Sequence, residues 1–122
     1  MKENLVRKVG ERGQDNLIAG LYPRALTTAV KVVAGAGELA RGTVLSRKED
    51  GTCEVMKEGG NPAYILVEPV DASGSEAVAA VAYYSGNFNP NAVTVAEGYA
   101  LTAADKDTLR KYNIVFTNMM ED

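Results

Sequence analysis

The chain has 122 residues, 46% hydrophobic and 24% charged, which suits one domain with one modest core and excludes both two ordinary domains and disorder throughout. A net charge of -3, with no Lys or Arg run longer than a pair, supplies no basic field for a phosphate backbone, so no nucleic-acid partner is expected. No stretch is apolar for long enough to span a bilayer and the first residues are polar rather than signal-like, so a soluble protein made in the cytosol, with no membrane partner, is expected.

Residues 1–24 mix both charges with Gly10, Gly13 and Gly20, and hold apolar residues only in small islands, Leu5-Val6 and then Leu17-Ile18 with Leu21-Tyr22-Pro23. So little apolar surface does not offset the entropy of ordering the segment alone. Two readings stand side by side: a flexible N-terminal arm over 1–24, or a first short strand formed by Leu17 to Tyr22 against the domain.

From residue 25 onward the pattern is that of a β-rich domain. ALTTAVKVV is rich in β-branched residues and ends at the Gly-rich AGAGE, a strand followed by a turn. Thr43 to Arg47 and Thr52 to Met56 flank Lys48-Glu49-Asp50-Gly51, where the Asp-Gly pair suits a tight hairpin. After the turn cluster KEGGNPA, AYILVEPV reads as a buried strand stopped at Pro69; the alanines of EAVAAVAYY could support a short helix, but Val78, Val81, Tyr83 and Tyr84 with the nearby Gly turns favour another strand, one that ends at a turn, SGNFNPN. AVTVAEGYAL reads as one more short strand, broken at Gly98.

One helix stands out. Thr102 is a good N-cap and Asp105, three residues on, completes a capping box; Lys106 to Lys111 is helix-forming with basic residues at its C-terminal end. Leu109 and Tyr112 are expected on its buried face, Asn113 closes it, and Ile114-Val115-Phe116 returns as a terminal strand. The whole reads as mainly β with one short C-terminal helix, a single domain.

Chemistry is scarce. The chain has no His and a single Cys, so the commonest general base and the usual zinc ligand sets are missing. Cys53 has no cationic neighbour to activate it and reads as an ordinary strand residue. Asp105 and Asp107 point in different directions on a helix, and the Gly pairs lack a phosphate-loop signature. No catalytic, cofactor-binding or metal residue is assigned, and an enzyme is not expected.

Phe88 poses the sharpest question, because a turn built on Gly, Asn and Pro gains nothing from an exposed phenyl ring. Either it tucks beneath its own turn as a plug or it meets a partner. YYSGNFNPNAV, taken with GTVLSR, EDGTCEV, the late helix and the last strand, resembles the head decoration proteins of tailed bacteriophages, the lambda-type capsid-stabilising family, over roughly residues 37–118. The resemblance implies a β-clip-like domain that forms a homotrimer on the outside of an expanded phage head, at local threefold positions, in contact with the major capsid protein. It implies a virion protein, synthesised in the host cytoplasm, that clamps the shell against packaged DNA without a cofactor. Leu17, Ile18, Leu21, Tyr22 and Pro23 of the arm are then the candidate capsid contacts, and Ser85, Gly86, Asn87, Phe88 and Asn89 the candidate interface residues. Two other classes stay open: a small β-clip module that binds a small molecule or peptide, and a nucleotide hydrolase on a similar fold, for which the sequence offers no carboxylate and Gly arrangement.

Overall fold

The structure, a computed structural model, describes residues 16–117. In chain order its elements are β1 Ile18–Gly20, β2 Leu26–Val32, β3 Gly37–Leu39, β4 Val44–Arg47, β5 Cys53–Val55, β6 Pro62–Leu66, β7 Val70–Ala72, β8 Val78–Phe88, α1 Ala103–Lys111 and β9 Ile114–Phe116. The mainly β architecture with one helix late in the chain is the one expected.

Five strands close on themselves. β8 pairs antiparallel with β2, β2 touches β5 through the parallel register Val32 to Cys53, and β5, β4 and β6 follow antiparallel. β6 returns to β8 at Ile65 to Tyr83 and Leu66 to Ala82, which completes the ring. β3 and β7 form a separate two-stranded ribbon.

Strand alternation then builds two cores from adjacent residues. Val30, Leu45, Cys53, Leu66 and Ala82, one from each strand of the ring, form a buried cluster that fills its inside. Their neighbours Val44, Ile65 and Tyr83 face the other way, into a second cluster with Leu17, Met56, Phe88, Leu109 and Ile114. That outer core is roofed by α1, by β9 and by the segment 92–101, whose Ala92, Val93, Val95, Tyr99 and Leu101 pack on it. Arg41 ties the rim together: its guanidinium donates to the Val67 carbonyl at 2.9 Å and the Tyr83 hydroxyl at 3.1 Å, and lies over the Tyr83 ring.

The local signals behave as their chemistry dictates. Gly51 adopts φ 92° in the hairpin between β4 and β5, where the Asp50 carboxylate accepts from the Thr52 N–H at 2.9 Å and from its hydroxyl at 2.6 Å. Ser46 is buried because its hydroxyl accepts the Asn61 N–H at 2.8 Å, just ahead of Pro62, which has no N–H to give. In α1 the Thr102 hydroxyl accepts the Asp105 N–H at 3.0 Å and the Asp105 carboxylate accepts the Thr102 N–H at 3.1 Å, the reciprocal capping box. Asn113, at φ 72°, ends the helix in the left-handed conformation.

Three expectations are corrected. β8 does not stop at Tyr84 but continues through Ser85, Gly86 and Asn87 to Phe88, because Ser85 pairs with Leu26 of β2, Gly86 to Phe88 pair with β9, and Asn87 and Phe88 pair on their other side with β1. Ala92 to Leu101 is not a strand; its single ladder contact is the bridge of Thr94 with Thr43, and the rest follows the contour of the core it covers. Tyr112 is 55% exposed and does not share the buried helix face with Leu109, since it caps α1 where the chain is already leaving the helical path.

Candidate partner-binding surface

The last turn of β8 is where the N- and C-terminal parts of the chain meet. Phe88 pairs with Ile18 of β1 on one edge and with Phe116 of β9 on the other. Its ring is wholly buried, tilted against Tyr83 at 5.2 Å between centroids and against Phe116 at 6.5 Å. It is the plug of the outer core, and this answers the question raised by its place in a Gly and Asn cluster.

Gly86 is dictated by that plug. A Cβ there would lie 2.6 Å from Phe88 Cζ and 2.8 Å from Phe88 Cε2, closer than real Cβ contacts come. Ser85 is buried, its hydroxyl donating to the Arg24 carbonyl at 2.7 Å, and thereby fastens the segment 21–25 to β8. Asn89 is buried too: its N–H donates to the Leu17 carbonyl at 2.8 Å and its side-chain oxygen accepts the Asn91 N–H at 3.0 Å. Asn87 is half-buried, and its Oδ1 has no hydrogen-bond partner among the described residues. Within one protomer, then, Ser85, Phe88 and Asn89 present almost no surface of their own.

The arm residues divide in two. Leu17 is buried in the outer core and Ile18 packs against it, and of the strand expected over Leu17 to Tyr22 the structure forms Ile18–Gly20, paired to β8. Leu21 and Tyr22 are the opposite, 81% and 82% exposed, at the corner between β1 and β2. Pro23, half-buried, follows Tyr22 through a cis peptide bond. The arm expected over 1–24 lies, for residues 1–15, outside the described residues.

A second exposed feature was missed by sequence reasoning. A concavity at one end of the ring is lined by Arg47, Asn61, Ala63, Tyr64, Tyr84 and Tyr112. Its residues come from β4, β6, β8 and the end of α1, and no local pattern announces that four separate segments converge.

Nothing among the described residues resembles catalytic machinery. No group of three or more His, Cys, Asp or Glu is placed to hold a metal ion. Burial pushes the Cys53 thiol up to about 11, the reverse of activation. The Tyr99 hydroxyl donates to the Asp105 carboxylate, which raises the Tyr99 pKa and braces the segment 92–101 against the helix start. No described helix is long and apolar enough to cross a membrane.

No curated protein matches the chain. The sequence profile of the family described as bacteriophage lambda head decoration protein D matches residues 10–114, which takes in every strand of the ring, the helix and the start of β9. That match covers most of the chain, and the elements it spans are those that build both cores: the protein belongs to the phage head decoration family.

Proposed function

We propose that the protein is a capsid cement: it binds the outer surface of the expanded head at local threefold sites as a homotrimer, contacts the major capsid protein, and stabilises the shell against the pressure of packaged DNA. The observation that carries the reading is the family match together with an exposed apolar corner, Leu21 and Tyr22, held out from the domain by a segment anchored at both ends.

The anchoring gives the division of labour. Leu17 and Ile18 root the N-terminal segment in the outer core, and Ser85 holds its other end through the Arg24 carbonyl. Leu21, Tyr22 and Pro23 between these roots are preset to meet the shell, so little ordering entropy opposes binding there. Phe88, Gly86 and Asn89 serve by shaping the platform. Three copies per trimer multiply modest contacts through high local concentration.

The test is to mix purified protein with expanded, undecorated shells and follow co-sedimentation and shell melting temperature. Cementing requires saturation in multiples of three per site and a rise in melting temperature. Protein that stays in the supernatant with cognate shells sinks the reading. Deletion of everything before Pro23 would remove the buried Leu17, so Leu21→Asp and Tyr22→Ala, which leave the core intact, are the informative variants.

A further inference from the structure

The loop between β4 and β5 sets two requirements against each other. The Gly51 N–H donates to the Lys48 carbonyl at 2.9 Å and the Lys48 N–H to the Thr52 carbonyl at 2.8 Å, a tight turn that places Gly51 in the left-handed region. A Cβ at Gly51 would meet nothing within 4 Å, so conformation rather than room demands a glycine. That glycine follows Asp50, and every residue from Arg47 to Gly51 is exposed to water. Aspartate followed by glycine is the pair in which a chain most readily attacks itself, because no side chain on the second residue hinders its nitrogen. The Gly51 nitrogen would bond to Asp50 Cγ, and the carboxyl hydroxyl would leave as water with the nitrogen's proton, closing a cyclic imide. A water molecule then reopens the ring at either carbonyl. Cleavage between Cγ and nitrogen restores Asp50, whereas cleavage at the main-chain carbonyl leaves the backbone running through Cγ, an isoaspartate.

Three features of the loop oppose the first step. Asp50 Oδ1 accepts from the Thr52 N–H at 2.9 Å and from the Thr52 hydroxyl at 2.6 Å, so the carboxylate is bonded to Thr52 rather than free to rotate onto the Gly51 nitrogen. The Gly51 N–H is itself occupied by the Lys48 carbonyl. The Thr52 hydroxyl and N–H, with a smaller part from the Lys48 charge, also hold the Asp50 carboxyl below its usual range, and a carboxylate has no hydroxyl to lose. Failure of this lock would reach the core. An isoaspartate adds one main-chain carbon between β4 and β5, whose register sets Arg47 against Cys53 and Ser46 against Glu54. Cys53 is wholly buried in the inner cluster and Ser46 holds the Asn61 N–H, so neither tolerates a shifted register.

We propose that Asp50-Gly51 is a latent self-modification site of this chain, and that Thr52 keeps it closed by holding the Asp50 carboxylate off the Gly51 nitrogen. Asp71 supplies an internal comparison. Its Oδ1 accepts the Ser73 N–H at 3.1 Å and the Ser73 hydroxyl at 2.6 Å, the same lock, but the residue that follows it is Ala72, whose side chain hinders ring closure. The chemistry needs no partner and stands independently of the cement reading.

The test is to age the full chain for weeks in warm, mildly acidic buffer, digest it, and measure isoaspartate at Asp50 by mass spectrometry with fragmentation that distinguishes the two linkages. The natural chain should accumulate it several-fold more slowly when folded than when held unfolded in urea. Folded Thr52→Ala should age several-fold faster than the natural chain, a modest factor because the hydrogen bonds removed are exposed, and Thr52→Ser, which keeps a hydroxyl, should return the rate toward the natural one. Asp71 should stay unmodified in every folded sample. Thr102→Ala, which weakens the helix cap far along the chain from this hairpin, controls for loss of stability and should leave the rate at Asp50 as it is in the natural chain. Equal ageing of folded and unfolded natural chain, a Thr52→Ala rate no higher than the natural one, or an equal acceleration by Thr102→Ala would each overturn the proposal.

Discussion

Gly86 and Phe88 are a matched pair: the ring of Phe88 occupies the space that any side chain at Gly86 would need. Two residues apart on one strand, they lie on the same face, and the absence of a Cβ on one lets the other fold flat beneath the strand end. Phe88→Ala removes the largest wholly buried side chain of the outer core and should cost about 3 to 5 kcal/mol by denaturant unfolding. Gly86→Ala should also destabilise, because the Phe88 ring must shift out of its packing against Tyr83 and Phe116. If Gly86→Ala left the unfolding midpoint untouched, the pairing would not be as tight as the structure has it.

The capping box of α1 is a separate, smaller contribution. Thr102→Ala should cost about 1 kcal/mol, the usual loss for an N-cap whose acceptor is removed. Asp105→Ala should exceed it, since Asp105 also accepts from the Tyr99 hydroxyl and so connects the helix start to the segment 92–101. Tyr99→Phe in an Asp105→Ala background measures the connection: a near-zero further cost means that the two act through one bond.

These two sites show what the sequence could disclose. Thr102, Asp105 and the Asp50-Gly51 hairpin were legible because caps and tight turns are settled within four or five residues, where side-chain chemistry and backbone conformation are one problem. Ser85 to Phe88 was misread as part of a turn because Gly and Asn carry the same local signal whether the chain turns or merely needs room. What keeps it extended is pairing with Ile18 and with Phe116, about 70 and 28 residues away. The division of Leu17 from Leu21 was illegible for the same reason: both are Leu in a short apolar island, and only the closed sheet decides which one the outer core receives. Tyr112 followed helical spacing on paper, but the helix had ended.

Cys53 links the inner core to pH. Its thiol titrates near 11 in the folded protein against an ordinary 9.0, so between those values the folded state holds a proton that the unfolded state has lost. Stability is therefore intact below about pH 9 and falls as pH rises toward about 11, by on the order of 2 to 3 kcal/mol for a gap of that size. Cys53→Ala lacks the effect but leaves a small cavity. Its deficit relative to the natural chain, measured by denaturant unfolding, should be largest near pH 8 and shrink as the solution becomes more alkaline. A deficit that stays constant across that range would show that Cys53 does not carry the pH dependence. In the folded protein near pH 8 the same thiol should resist thiol-directed reagents, since it is both buried and neutral.

Leu21 and Tyr22 carry the prediction on which the cement reading depends. Both are large, apolar and about four-fifths exposed, while Leu17, four residues earlier, is buried. Leu17→Ala should therefore lower the stability of the free protein, by about 2 to 5 kcal/mol for a buried Leu, and affect shells only as far as the protein unfolds. Leu21→Asp and Tyr22→Ala should do the reverse. The free protein keeps its unfolding midpoint, because neither side chain has packing to lose, and binding to expanded shells weakens at least about tenfold, since burying one such side chain is worth roughly 1.5 to 3 kcal/mol. In a trimer the loss recurs at each of three corners, so it should appear as a steeper fall in shell occupancy than a single site would give. Co-sedimentation with shells, set beside denaturant unfolding of the same variants, separates the two classes. Variants at Leu21 and Tyr22 that bind shells as well as the natural chain would move the contact away from this corner, and the search for it would turn to residues 1–15.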